Sequence, residues 1–121
     1  MNVNIQAPSF TVTPGIEQRI RARFGTTLQR HGDAVIGADV YLRDINGPKG
    51  GDDKLVTVRV RLRNQPDITI ENTDEDLYRA IDRAAKRANR ALRRSIRKQS
   101  RLARKELRWM RRRKETEPQP T

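Results

Sequence analysis

The chain contains no cysteine. Disulfides, thiolate nucleophiles and Cys-type zinc sites are therefore excluded, and the usage fits a reducing compartment. Aromatic residues make up 4% of the chain and hydrophobic residues 34%, so any core must be aliphatic and the surface heavily polar. His31 is the one histidine, which leaves no histidine cluster for a metal. No apolar run approaches the roughly 20 residues of a membrane span. The amino terminus, Met1 to Phe10, has neither the charged nor the apolar region of a signal peptide. These absences predict a soluble intracellular protein with no membrane partner. At 121 residues the chain suits one modest domain with a tail. The last scarcity is local and concerns one sign of charge. Between Arg79 and Lys114 stand 17 lysines and arginines but only two acids, Asp82 and Glu106, so that segment carries +15 and the remainder carries −3.

The basic segment reads as a helix. With successive residues about 100° apart, Arg79, Arg83, Lys86, Arg87, Arg90, Arg93, Arg94, Arg97, Arg101, Arg104, Lys105, Arg108 and Arg111 fall in one sector of roughly 120°. Leu77, Ile81, Ala84, Ala85, Ala88, Leu92 and Ile96 lie opposite, as on a helix packed against a core. A solvated face normally mixes its signs. A rail of one sign repels itself and calls for a polyanion. Arginine outnumbers lysine on it, which favours bidentate grip on phosphates, and several such contacts make binding steeply salt-dependent. The residues predicted to bind RNA are Arg79, Arg83, Lys86, Arg87, Arg90, Arg93, Arg94, Arg97, Arg101 and Arg104. A second basic set, Arg43, Arg59, Arg61 and Arg63, recurs at strand spacing. Arg59, Arg61 and Arg63 form a secondary RNA-binding candidate, which a solvated sheet face explains equally well.

Val3 and Ile5 alternate with polar residues as a short strand. Thr13-Pro14 is a helix start, a hydroxyl cap followed by proline at the first helical position. Ile16, Ile20, Phe24 and Leu28 recur every four residues behind it, predicting a helix from Pro14 to Gln29. Ile36, Ala38, Val40 and Leu42 place one face of a strand over Val35 to Arg43. Val56, Val58, Val60 and Leu62 do the same for the next, and the turn formers from Asn46 to Asp53 make the pair a hairpin. Ile68 and Ile70 mark a short fourth strand. Thr73-Asp74-Glu75-Asp76 opens the second helix with acids suited to its dipole.

The order is β-α-β-β-β-α, an α+β fold. Each strand has one apolar face, so both helices lie on one side of a four-stranded sheet in a two-layer sandwich. The divisions expected are a domain over 1–100, a basic helical extension over 101–114 that projects or frays, and a disordered tail over 115–121.

No constellation nominates a catalyst, a metal site, a cofactor or a small-molecule substrate. The glycines beside Lys49 lack the order of a phosphate-binding loop and do not enter a helix. His31, next to Gly32 at a helix end, reads as capping. Trp109 lies past the sheet on the apolar side of the second helix; it reads as packing on a loop or partner protein, or as stacking on an unpaired base.

Val12-Thr13-Pro14 and, more distinctively, Asp76-Leu77-Tyr78-Arg79-Ala80-Ile81-Asp82 resemble the ribosome hibernation factors, the family of hibernation-promoting factor and ribosome-associated inhibitor A. The similarity covers residues 1–100 or so. It implies a fold similar to double-stranded RNA-binding domains and a cytoplasmic, ribosome-associated protein that is not an enzyme. The implied partners are the small ribosomal subunit, its 16S rRNA and neighbouring ribosomal proteins. Occupying mRNA and tRNA space there would inhibit translation in stress or stationary phase. The long form's carboxyl-terminal dimerisation domain is not seen in the sequence, and the run from Arg101 to Lys114 is more basic than the family leads one to expect. A general RNA- or DNA-binding regulatory protein is the alternative, and a membrane-surface or protein-partner helix over Arg101 to Lys114 is a third.

Overall fold

The computed structural model describes residues 2–8, 11–46 and 52–116. The chain divides into two compact units, Met1–Ala91 and Leu92–Thr121.

In the first unit β1 (Asn2–Gln6) is followed by α1 (Pro14–Gln29), a single 3-10 turn (Gly32–Ala34), β2 (Val35–Asn46), β3 (Asp52–Leu62) and β4 (Ile68–Asp74). The long helix α2 (Leu77–Thr116) begins in this unit and contributes residues to both. The sheet order is β1-β2-β3-β4. β1 runs parallel to β2, from Asn2 opposite Gly37 to Gln6 opposite Tyr41, and the other two pairings are antiparallel. The mixed sheet with two helices is the α+β fold expected.

Thr13 caps α1 as the sequence indicated. Its Oγ1 accepts the Ile16 N–H at 3.2 Å, with Pro14 in the first turn. At the other end the His31 N–H donates to the Leu28 carbonyl at 3.2 Å, and Gly32 takes the left-handed φ of +49° that a side chain would disfavour. The start of α2 differs from expectation. β4 continues to Asp74, so the acids lie before the helix rather than in its first turn, which contains none. Asp76 is the cap: its Oδ1 accepts the Tyr78 N–H at 2.9 Å and its carbonyl accepts from Ala80 at 3.0 Å.

One face of the sheet supplies Val3, Val35, Ala38, Val40, Leu42, Val56, Val58, Val60 and Leu62 to the core. α1 adds Ile16, Ile20, Phe24 and Leu28, and α2 adds Ala80, Ile81, Ala84, Ala85 and Ala88. The alternation breaks once, at a β-bulge. Val35 pairs with Leu62 but Gly37 pairs with Arg61, so Ile36 is an extra residue with no partner on β3. Val35 turns inward and Ile36, expected in the core, is 48% exposed. Gly37 is needed beside the bulge because a Cβ there would meet both the Arg61 guanidinium and the Asn2 carbonyl at 2.8 Å. The tip of the hairpin, 47–51, lies outside the described residues.

The second unit is helical. Leu92 is fully buried, and every residue from Arg97 to Arg113 is exposed. α2 reaches Thr116, past the expected end at 114; residues 117–121 of the expected tail lie outside the described residues.

Candidate nucleic-acid interface

All ten predicted RNA-binding residues are exposed on α2. Arg79, Arg83, Lys86, Arg87 and Arg90 belong to the first unit; Arg93, Arg94, Arg97, Arg101 and Arg104 belong to the second. In the first unit the opposite side of the helix is core, so the charge is placed by packing. Its leading arginines are also held by β4. Arg79 and Arg83 stand 3.8 and 3.3 Å from the Asp74 carboxylate, whose side chain is only 9% exposed, and Arg87 donates to the Glu71 carbonyl. Asp74 has a second task, accepting the Asp76 N–H at 3.0 Å to shape the turn into α2. One carboxylate thus aims the helix and orients its first bases. An arginine already fixed in place loses less conformational freedom when it meets a phosphate.

Asp82, one of two acids within the basic run, is directed at α1. Arg19 donates to it through Nε and a terminal nitrogen at 3.1 and 2.7 Å, and Arg23 lies 3.1 Å away. The hydrogen bond from Arg19 holds the Asp82 carboxyl below the ordinary carboxylate range, against the opposing effect of burial; Arg23 reinforces the lowering. A depressed native value means that the unfolded state binds more protons as pH falls. The stabilisation is therefore complete above the ordinary carboxylate pKa and is lost as pH falls through the lowered value. Asp82→Asn is expected to lower the melting temperature at pH 7 by a few degrees, in line with a partly exposed pair, and to flatten the acid limb of a melting-temperature-against-pH curve. An unaltered acid limb would show that the pair contributes nothing to the pH dependence.

Beside this pair, Ala22, Arg23, Thr26, Thr27, Arg30, Asp82, Ala85, Lys86 and Asn89 line a groove of about 330 Å³. His31, just past the end of α1, places its Nε2 3.1 Å from Asn89 Oδ1, so its ring ties that end to α2 while its backbone N–H closes the helix. Arg23 and Arg30 bring α1 charge toward Lys86 and were not among the predicted site residues. A signal existed: Arg19, Arg23 and Arg30 fall within about 40° of one another at helical spacing.

Two members of the secondary set, Arg59 and Arg61, meet acids within the fold. Arg59 is paired with Asp67 at 2.8 Å, and that contact, mainly through its hydrogen bond, holds the Asp67 carboxyl low. Arg61 lies over Gly37 and 3.5 Å from Asp39, which also accepts from Asn4 at 3.1 Å. Arg63 is exposed. Among the described residues there is no cluster of three or more potential metal ligands, and no helix is long and apolar enough to cross a membrane.

A two-layer α+β sandwich whose outer helix shows bases of one sign has the electrostatic footprint of a polyanion-binding domain. The model of the family described as sigma 54 modulation protein / S30EA ribosomal protein matches residues 3–100, and the chain belongs to that family, which bears out the resemblance to hibernation-promoting factor. Among solved structures, the Thermus thermophilus Protein Y N-terminal domain is similar at 25% identity and a TM-score of 0.64, covering 78% of this chain and 98% of its own. A ribosomal subunit interface protein from Coxiella burnetii shares the fold at 16% identity and a TM-score of 0.63, over 78% of this chain and 97% of its own. No curated protein matches significantly.

Proposed function

We propose that this protein is a cytoplasmic ribosome hibernation factor. It binds the small ribosomal subunit through 16S rRNA, fills space that mRNA and tRNA require, and so inhibits translation in stress or stationary phase by occupancy rather than catalysis. Family membership and the ribosomal subunit interface protein among its structural relatives support a ribosomal partner. The observation that carries the reading is the exposed basic face of α2 over Arg79 to Arg90, backed by buried Ala80, Ile81, Ala84, Ala85 and Ala88. A row of arginines held by packing suits a fixed array of phosphates.

In a sucrose gradient at about 0.1 M salt the protein is expected to travel with purified small subunits and to be released as salt is raised, because each phosphate contact displaces bound counterions. Remaining at the top of the gradient would refute the proposal. Equal competition by naked duplex RNA and DNA would favour a general nucleic-acid binder.

A further inference from the structure

The helical segment over 92–116 is more than a basic surface. Leu102, Leu107, Trp109 and Met110 are 50%, 57%, 58% and 47% exposed, a concentration of large apolar side chains that solvation alone does not explain. At helical spacing Leu102, Ala103, Trp109 and Met110 occupy one sector of roughly 120°. Arg101, Arg104, Lys105, Arg108 and Arg111 lie on the other side, while Arg113 falls within the apolar sector. Glu106 falls in the middle of the apolar sector, with Leu102 four residues before it, Trp109 three after and Met110 four after. It is exposed and forms no ion pair among the described residues. The Arg113 guanidinium lies over the Trp109 ring, 5.2 Å from its centroid.

Glu106 decides between occupants. A bilayer would have to take a carboxylate into its apolar boundary at the centre of the immersed face, which is costly. RNA would satisfy the arginines but meet a like charge at Glu106 and leave Leu102 and Met110 in water. A second copy would bring an equal excess of positive charge. A protein surface can meet all three demands: a pocket for the apolar side chains, an acidic rim for the flanking arginines and a donor opposite the carboxylate. Such a helix laid in a groove with an aromatic anchor is a recurrent mode of recognition.

We propose that Leu102 to Arg113 is a docking helix for a protein of the small ribosomal subunit that presents an apolar groove, an acidic rim and a cationic or N–H donor facing Glu106. This rests on the ribosomal reading above. The test places the photo-crosslinking residue p-benzoylphenylalanine at position 109 of the full chain, binds it to purified small subunits, irradiates, and analyses the sedimented complex. The expected result is a crosslink to one ribosomal protein, with its yield reduced at least tenfold by Glu106→Lys. Co-sedimentation with crosslinks to 16S rRNA alone, or with none, overturns the docking helix and leaves the ribosomal reading standing. Failure to co-sediment overturns both, and the gradient itself distinguishes the cases. Flotation with phosphatidylglycerol vesicles that is lost on Trp109→Ala overturns it in favour of a membrane. Glu106→Lys adds a positive charge, so tighter binding to subunits would likewise refute a protein contact.

Discussion

Replacing Lys86, Arg90 and Arg94 together by glutamate is expected to lower affinity for small ribosomal subunits on the order of a thousandfold at physiological salt, with the protein still folded. A hydrogen bond to a charged group contributes roughly 1.5–3 kcal/mol, and about 1.4 kcal/mol is a factor of ten. Three such contacts therefore suffice, before the repulsion introduced by glutamate is counted. All three side chains are exposed and none belongs to the core, so the thermal transition should survive; relieving the self-repulsion of the rail works in the same direction. The slope of log affinity against log salt should also fall by about 2–3, since each lost contact removes roughly 0.7–0.9. Co-sedimentation across a salt series reads both quantities. Wild-type binding by this variant would move the site off α2, and the sheet face with Arg59, Arg61 and Arg63 would become the candidate.

The architecture was legible because hydrophobic periodicity and packing agree over most of the chain. The four-residue spacing of Ile16, Ile20, Phe24 and Leu28 and the two-residue spacing of Val56, Val58, Val60 and Leu62 each correspond to one buried face. Period alone fails where the backbone changes register. Ile36 continues the pattern of Ala38 and Val40 on paper, yet the bulge inserts it as an extra residue and Val35 takes the inward position. β4 was underestimated for a related reason. After Ile68 and Ile70 its inward positions pass to Asn72 and Asp74, both half-buried. Polar residues hide a strand from a hydrophobic pattern, although Asn72 donates to the Ala80 carbonyl and Asp74 receives the leading arginines.

The candidate site was legible as a charge count and less so as a set of partners. Lone arginines at Arg19, Arg23 and Arg30 look like ordinary surface residues. Only the packing of α1 beside α2 shows that Asp82 unites the first two and that Arg23 and Arg30 share a groove with Lys86. The converse holds on the outer face of the sheet. Arg59 and Arg61 are as basic in sequence as any residue of the rail, but Asp67, beyond the turn that follows β3, and Asp39 on β2 meet their charge. How each arginine is oriented depends on which acids the fold brings to it, and those acids are distant in the sequence or reached across a turn.

Phe24→Ala is expected to cost about 3–5 kcal/mol of stability out of the roughly 5–15 kcal/mol typical of a folded protein. Phe24 is fully buried and, among the described residues, is the one aromatic side chain in a core otherwise made of valine, isoleucine, leucine and alanine. Removing its ring leaves a void that the β-branched valines of the sheet, held to few rotamers, collapse into poorly. With a slope of about 2 kcal/mol per molar urea, the unfolding midpoint should fall by roughly 2 M. Phe24→Leu keeps most of the volume and is expected to cost less than half as much. A shift of under 0.5 M for the alanine variant would mean that the core relaxes around the site. The consequence for binding separates this variant from the charge reversal. Phe24→Ala reduces the population able to bind but leaves each folded molecule with its full rail, so the salt slope of binding stays at the wild-type value wherever the variant is folded. Charge reversal lowers that slope while the fold persists. Together the two measurements distinguish the packing that positions α2 from the charge it presents.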